Sequence, residues 1–108
     1  MQVPFLARSY RVITVDGRGN GRSDRPATAA AYTDQEFLAD LLGVLDHTRT
    51  PRAVVAGASY GGLLALELAA LQPERVMGVV GIGTSVRHLT PPLPDRDAFD
   101  FDAVYDDY

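Results

Sequence analysis

A serine lies between two glycines in the five-residue pattern Gly57-Ala58-Ser59-Tyr60-Gly61. A short valine-rich run, Val54–Ala56, precedes the pattern, and an apolar stretch, Leu63–Leu71, follows it. Strand, sharp turn and helix therefore meet at one hydroxyl, and a turn of this kind lifts the hydroxyl clear of a sheet. The pattern alone also occurs by chance, so its flanking elements make it informative. We predict that Ser59 is a nucleophile on a strained turn and that its φ is positive.

The residues around the serine fit such a turn. Gly57 and Gly61 remove the side chains that would crowd it. A helix beginning at Tyr60 would aim its free N–H groups and the positive end of its dipole at the serine oxygen. The sequence therefore predicts a place where negative charge on oxygen is stabilised.

Local patterns predict the elements that position this turn. The Thr33-Asp34-Gln35-Glu36 stretch is a capping box, in which the threonine hydroxyl and the glutamate carboxylate each bond the other residue's N–H. It predicts a helix over Asp34–His47, and a second helix over Tyr60–Gln72 is stopped by Pro73. Runs rich in β-branched residues predict strands at Arg11–Asp16, Ala53–Ala58 and Val76–Ile82. This alternation implies an α/β fold with parallel strands.

A glycine-rich loop, Asp16–Asp24, follows the first predicted strand. Its alternating glycines predict a tight turn. The spacing G-x-G-x-x-G of dinucleotide-binding loops is met from neither Gly17 nor Gly19, and no helix is predicted to begin there. We expect a structural turn, in which Arg18 or Arg22 pairs with a nearby carboxylate.

The chain has two histidines, His47 and His88, and no cysteine. Neither histidine has metal-ligand spacing, so we expect no metal and no cofactor. His47 ends the first predicted helix, where it suits the dipole and needs no other role. His88 follows the third predicted strand, at the sheet edge that also carries Ser59. A Ser59–His88 pair is the weaker alternative, because a general base must come within about 3 Å of the hydroxyl and be oriented by a third group.

Charge is unevenly distributed along the 108 residues, whose net charge is -4. Asp95–Tyr108 holds six aspartates and one arginine, while the preceding 94 residues hold nine arginines and eight acidic residues. This balance does not suggest a nucleic-acid partner. No signal-peptide pattern and no apolar run of about 18 residues is found, so we expect a cytoplasmic protein without a membrane partner.

Two motifs in order resemble those of the α/β-hydrolase fold family. Asp16-x-Arg18-Gly19-x-Gly21-x-Ser23 is similar to the loop after the family's fourth strand, and Gly57-x-Ser59-x-Gly61-Gly62 to the nucleophile elbow after its fifth. The resemblance covers about residues 5 to 90. It implies a partial α/β-hydrolase fold of three parallel strands with flanking helices, without the strands before and after. Residues 1–90 would be this core, and residues 91–108 the poorly ordered start of a lid.

Carried over by position, Ser59 would be the catalytic nucleophile and the backbone N–H of Tyr60 one oxyanion donor. Serine here implies acyl transfer on a small, ester-like substrate, since the epoxide hydrolases and haloalkane dehalogenases of this fold use aspartate. The family's His-Gly oxyanion motif, triad acid and triad histidine have no matching positions. We therefore expect the chain to be a central fragment that is inactive alone. The alternative is a non-catalytic binding module that associates with a complementary fragment or with itself.

The resemblance also predicts a gap in the sheet. In the family another strand lies between those that match Arg11–Asp16 and Ala53–Ala58. These two segments should therefore not pair with each other, and only the second and third strands should form a ladder. Unpaired strand edges would leave the chain marginally stable.

Overall fold

The computed structural model describes residues 2–85. Its elements are, in order, helix α1 (Val3–Leu6), a 3-10 helix (Ala29–Tyr32), helix α2 (Asp34–His47), strand β1 (Ala53–Ala58), helix α3 (Tyr60–Leu71) and strand β2 (Val76–Ile82). The α/β class is confirmed, and the two long helices match their predicted bounds to within a residue. The short 3-10 helix was not predicted. The predicted lid segment, 91–108, lies outside the described residues.

The two strands are parallel and adjacent, and helix α3 connects them. Val54 pairs with Gly78 and Ala58 with Ile82, while the register shifts between Ala53 and Val54. The N–H of Ser59 continues the ladder by donating to the Ile82 carbonyl at 2.9 Å. Both strands therefore end at the same edge, and Ser59 lies at that edge.

The prediction of a strand at Arg11–Asp16 is wrong for this structure, in which that segment carries no strand pairing. Within residues 2–85, the sheet has two strands instead of three. The segment is held through a side chain, since the Arg11 guanidinium donates to the Thr48 carbonyl at 2.8 Å. β-Branched residues favour extended backbone, but a strand also needs a partner, and none of the described strands pairs with this segment. The expectation that only Ala53–Ala58 and Val76–Ile82 form a ladder is confirmed among these residues.

The hydrophobic core lies between α2, α3 and one face of the sheet. Leu68 of α3 is 1% exposed and packs with Leu38 of α2 and Leu64 of α3. Val55 and Val76 bring the sheet into this cluster. The apolar stripe expected on α2 is confirmed, because its members are either buried or packed against this core; they are Phe37, Leu38, Leu41, Leu42 and Leu45.

The ends of α2 are fixed by different means. The Thr33 hydroxyl accepts a hydrogen bond from the Glu36 N–H at 3.3 Å, as the capping box predicts. The Glu36 carboxylate does not complete the box, because it pairs with Arg18 at 2.9 Å. At the other end Arg49 has φ 53°, and the Thr50 N–H donates to the Leu45 carbonyl at 2.8 Å. This is the pattern of a Schellman motif, with arginine in the left-handed position where glycine is usual.

The face of the sheet opposite α3 is open among the described residues. Val54 is 59% exposed and Ile82 is 64% exposed. Val80, two residues before Ile82 on β2, is exposed on the same face, and its register partner on β1 is Ala56. None of the described helices is long and apolar enough to cross a membrane.

We predict that Leu68→Ala lowers the free energy of unfolding by about 2–5 kcal/mol, because it leaves a cavity under α3. Leu71→Ala, on the same helix at a side chain that is 65% exposed, is the matched control and should cost less than about 1 kcal/mol. Urea denaturation followed by circular dichroism measures both. Equal losses in the two variants would show that α3 is not packed as described.

Candidate active site

The backbone of Ser59 has φ 51° and ψ -119°, the positive φ that a nucleophile elbow requires. In residues 2–85 it shares a positive φ with only one other non-glycine residue, Arg49. Such a conformation costs on the order of 1–3 kcal/mol and persists only where neighbouring groups impose it. Ser59 is bonded on both sides: its N–H donates to Ile82, and its carbonyl accepts from the Gly62 N–H at 3.0 Å and the Thr84 hydroxyl at 3.3 Å.

The glycines of the turn have unequal roles. A Cβ on Gly57 would overlap the carbonyl group of Gly61, and a Cβ on Gly62 would overlap the hydroxyl of Thr84. A Cβ on Gly61 would meet no atom within 4 Å among the residues described. The expectation that Gly61 avoids a clash is therefore corrected: strand and helix approach each other at Gly57, while Gly62 makes room for Thr84.

The helix after the serine presents free N–H groups to this edge. Tyr60 is the first residue of α3, and the first N–H groups of a helix have no acceptor within it. No acceptor for the Tyr60 N–H occurs elsewhere in residues 2–85. The Ser59 side chain does not cap the helix, and Ser59 is exposed. The arrangement can thus offer an accessible hydroxyl next to an unused donor at the positive end of a helix.

The side chain of Tyr60 points away from the serine toward α2. Its hydroxyl donates to the Asp34 carboxylate. Its ring meets Phe37 edge-on, with centroids 5.9 Å apart and an interplanar angle of 81°. Burial of the ring, and then the carboxylates of Asp34 and Glu67, raise the pKa of Tyr60 to about 12. The hydroxyl is therefore protonated at neutral pH and acts as a donor.

Arg18 joins the glycine-rich loop to α2. Its guanidinium forms a bidentate pair with Asp40, at 2.7 Å for each N–O distance. It also donates to the Ala31 carbonyl at 2.6 Å and pairs with Glu36. The hydrogen bonds from Arg18 to Asp40, together with the positive charge of Arg18, hold the pKa of the Asp40 carboxyl below its ordinary value. The structural role expected for Arg18 is confirmed.

The glycines of this loop are required by its shape. Gly19 has φ 81°, and a Cβ there would clash with the ring of Tyr32. Gly21 has φ 52°, and a Cβ there would overlap the Asp16 carboxylate, which also accepts from the Arg22 N–H at 3.1 Å. The N–H groups of Gly19, Asn20, Arg22 and Ser23 already have acceptors within the loop, so they are not free to bind a phosphate.

Among residues 2–85, no side chain is hydrogen-bonded to the Ser59 hydroxyl, and His47 is the one histidine of that range. His47 ends α2, whereas Tyr60 contacts the first residue of that helix, so His47 lies about 20 Å away along its axis. His88 lies outside the described residues. No group of three or more His, Cys, Asp or Glu side chains in residues 2–85 could hold a metal ion.

Two contacts of the site were not predicted from the sequence. Tyr60 and Asp34 are 26 positions apart, and nothing in their spacing signals a bond between them. Thr84 is 25 positions from Ser59, and its only signal is that it follows a strand at the edge where Ser59 lies. Both contacts depend on how α2 and β2 pack around the elbow.

Comparison with known proteins identifies the fold family to which the βαβ unit belongs. The alpha/beta hydrolase fold family profile matches residues 2–108. The chain belongs to the α/β-hydrolase fold family. It is 43% identical over 82 residues to epoxide hydrolase B of Mycobacterium tuberculosis, a match that covers 75% of this chain and 23% of the relative.

Other relatives include a second epoxide hydrolase and a hydrolase that is named for a different substrate. An epoxide hydrolase of Caballeronia sordidicola is 40% identical over 78 residues, which cover 72% of this chain and 24% of the relative. The 2-hydroxymuconate semialdehyde hydrolase of a Pseudomonas species is 42% identical over 83 residues, which cover 77% of this chain and 29% of the relative. The chain thus spans about a quarter of the length of the curated relatives it matches.

We predict that Gly57→Ala destabilises the fold by about 3 kcal/mol, the upper end of the overpacking range, because its Cβ would be forced into the first turn of α3. Gly61→Ala is the matched control and should be neutral or stabilising by up to about 1 kcal/mol, since alanine suits a helix better than glycine. Thermal melts of the two variants measure the difference. A Gly57→Ala protein as stable as wild type would show that strand and helix are not in contact there.

We also predict an acid-sensitive link between the loop and α2. Because its folded-state pKa is lowered, Asp40 contributes stability above its ordinary pKa, and that stability is lost as pH falls through the lowered value. Asp40→Asn should reduce the loss of stability between about pH 5 and pH 2. Asp46→Asn, which breaks the Arg75 pair at a side chain that is 68% exposed, should leave the pH profile nearly unchanged. Parallel acid profiles for wild type and Asp40→Asn would contradict this prediction.

Proposed function

We propose that this chain carries the nucleophile of an acyl-transfer hydrolase and that Ser59 is that nucleophile. The observation that carries the proposal is the backbone of Ser59, which has φ 51° and immediately precedes a helix whose first N–H has no acceptor among residues 2–85. A serine that only connects a strand to a helix gains nothing from such strain. A serine that must present its hydroxyl at the edge of a sheet does.

The reaction would proceed through an acyl-enzyme. The Ser59 oxygen attacks the carbonyl carbon of an ester, and the π electron pair moves onto the carbonyl oxygen. The Tyr60 N–H donates to that oxygen and stabilises its negative charge. The alkoxide leaves, the Ser59 proton is transferred to it through a base, and water then hydrolyses the acyl-serine ester.

The identity of the residue at position 59 argues against epoxide hydrolysis, although several relatives are named epoxide hydrolases. A serine oxygen that opened an epoxide would form an ether, and water does not cleave an ether at a useful rate. A carboxylate nucleophile would form an ester, which water can cleave. The proposed substrate is therefore a small ester-type molecule, whose acyl-serine intermediate can turn over.

A second candidate function is a non-catalytic module that binds another chain. Two features favour this second function. One face of the sheet exposes apolar side chains, namely Val54, Val80 and Ile82, and the outer edges of the two described strands are unpaired. Its partner would be a complementary fragment of the same fold or a second copy of this chain. In that case Ser59 would be strained but unreactive.

We predict that a fluorophosphonate labels the chain slowly at Ser59, while turnover of an activated aryl ester stays at the buffer rate. Labelling needs only one attack on an activated phosphorus atom. Turnover needs a general base as well, and losing one from a triad costs on the order of 10⁶ in rate. Mass spectrometry of the labelled peptide and release of p-nitrophenol measure the two processes.

Two variants are needed to interpret the result. Ser59→Ala should abolish labelling, whereas Ser9→Ala, at another exposed serine, should not. A folded wild-type chain that is never labelled would favour the non-catalytic module. Ester turnover well above buffer that disappears in Ser59→Ala would show that a base is present, and His88→Ala would then test whether His88 supplies it.

A further inference from the structure

The residue after the candidate nucleophile has two separate roles available to it. Its N–H, at the start of α3, has no acceptor in the part of the chain that the structure describes, and its side chain crosses to α2. The Tyr60 hydroxyl donates to Asp34, and the Tyr60 ring packs edge-on against Phe37. Tyr60 therefore supplies both the N–H donor next to Ser59 and the side chain that contacts α2.

The far end of that contact is well anchored. Asp34 is the first residue of α2, and the Thr33 hydroxyl caps the same turn. Within the first two turns of α2, Glu36 and Asp40 pair with Arg18. Phe37 packs against the buried core as well as against Tyr60. Tyr60 thus attaches the elbow to a helix end that cannot easily shift.

We propose that the Tyr60 side chain is a positioning residue, whose bond to Asp34 and packing on Phe37 hold the Tyr60 N–H in the direction needed by the oxyanion. This inference rests on the function proposed for Ser59. It adds that α2, which contributes no reacting atom, sets the geometry of the oxyanion donor through one hydroxyl.

The physical reason is the sensitivity of such donors to direction. Removing one oxyanion donor costs on the order of 10²–10³ in rate, and a misplacement of about 1 Å can cost on the order of 10². The first turn of a helix is where its backbone frays most easily, because its N–H groups are unpaired. Tethering the side chain of its first residue restricts that movement. The hydroxyl bond alone should account for a part of the effect, since the ring packing remains when the hydroxyl is removed.

A merely stabilising role for the Tyr60–Asp34 bond makes a different prediction. Tyr60 as a residue is 44% exposed, and hydrogen bonds at such sites contribute modestly to global stability. If the bond only stabilised the fold, Tyr60→Phe would lower the melting temperature slightly and leave the reactivity of folded protein unchanged. Positioning instead lowers the rate of the chemical step and leaves the binding of the reagent unchanged.

The experiment measures fluorophosphonate labelling of the 108-residue chain as a rate constant at saturation and a half-saturating concentration. Tyr60→Phe keeps the ring and removes the hydroxyl. Asp34→Ala removes the acceptor, and Asp34→Asn restores an oxygen acceptor. Tyr10→Phe, at a ring that is exposed, removes a tyrosine hydroxyl elsewhere and is the matched control.

We expect Tyr60→Phe and Asp34→Ala to lower the saturated rate by about tenfold, without a change in half-saturating concentration, as expected when a group acts only in the transition state. Asp34→Asn should recover most of the rate, and Tyr10→Phe should match wild type. Equal saturated rates for Tyr60→Phe and Tyr10→Phe would overturn the proposal. A lower saturated rate in Tyr60→Phe with an unchanged rate in Asp34→Ala would also overturn the proposal.

A second measurement keeps the two proposals separable. Amide hydrogen exchange and ¹⁵N chemical shifts report the first turn of α3 without any reaction. Tyr60→Phe should speed exchange and shift the signals of Ser59, Tyr60 and Gly61, and Tyr10→Phe should not. If wild type is never labelled but these changes occur, the serine hydrolase proposal fails and the positioning contact stands. If the amides of Tyr60→Phe are unchanged, the positioning contact fails whatever the labelling shows.

Discussion

The end of β1 and the first turn of α3 lie in backbone contact, and the geometry of the site depends on this contact. Gly57 faces the carbonyl group of Gly61 and the amide of Gly62 with no side chain between them. The chain must reverse direction within that space, which places Ser59 at φ 51°. Bonds from Ile82 and Thr84 then hold the strained residue from the side of β2. A strand and a helix that were further apart would allow an ordinary turn and a less exposed hydroxyl.

The second constraint is electrostatic and lies outside the sheet. Arg18 binds Asp40 in a bidentate pair and also reaches Glu36 and the Ala31 carbonyl. A planar guanidinium can satisfy these acceptors together because its donors point in fixed directions. The glycine-rich loop, the 3-10 helix and the start of α2 are thereby joined at one side chain. Through Tyr60 the same helix end is joined to the elbow.

The comparisons and the residues of the site address different levels of function. The family profile and the relatives establish an α/β-hydrolase fold, and the relatives include enzymes named for different substrates. The fold alone does not decide among them, because the same fold supports many chemistries. The type of nucleophile does distinguish between these chemistries, because it determines whether the covalent intermediate is an ester that water can cleave. The proposal of acyl transfer therefore rests on a single side chain.

The sequence by itself determined the local structure of the site. The pattern around Ser59 predicted the elbow, Thr33 and Pro73 marked helix ends, and the β-branched runs located both strands of the described sheet. These features depend on neighbours a few residues apart, so they can be read from spacing. The β-branched runs also predicted a strand at Arg11–Asp16, but none of the described strands pairs with that segment.

Tertiary structure decided which side chains meet. The Glu36 carboxylate could have completed the capping box, but Arg18 competes for it with a full charge. Gly61 and Gly62 are alike in sequence, yet only at Gly62 does Thr84 occupy the space of a Cβ. The bond from Tyr60 to Asp34 joins two helices whose relative placement comes from leucine packing in the core. Contacts of this kind depend on long-range packing, which residue spacing does not encode.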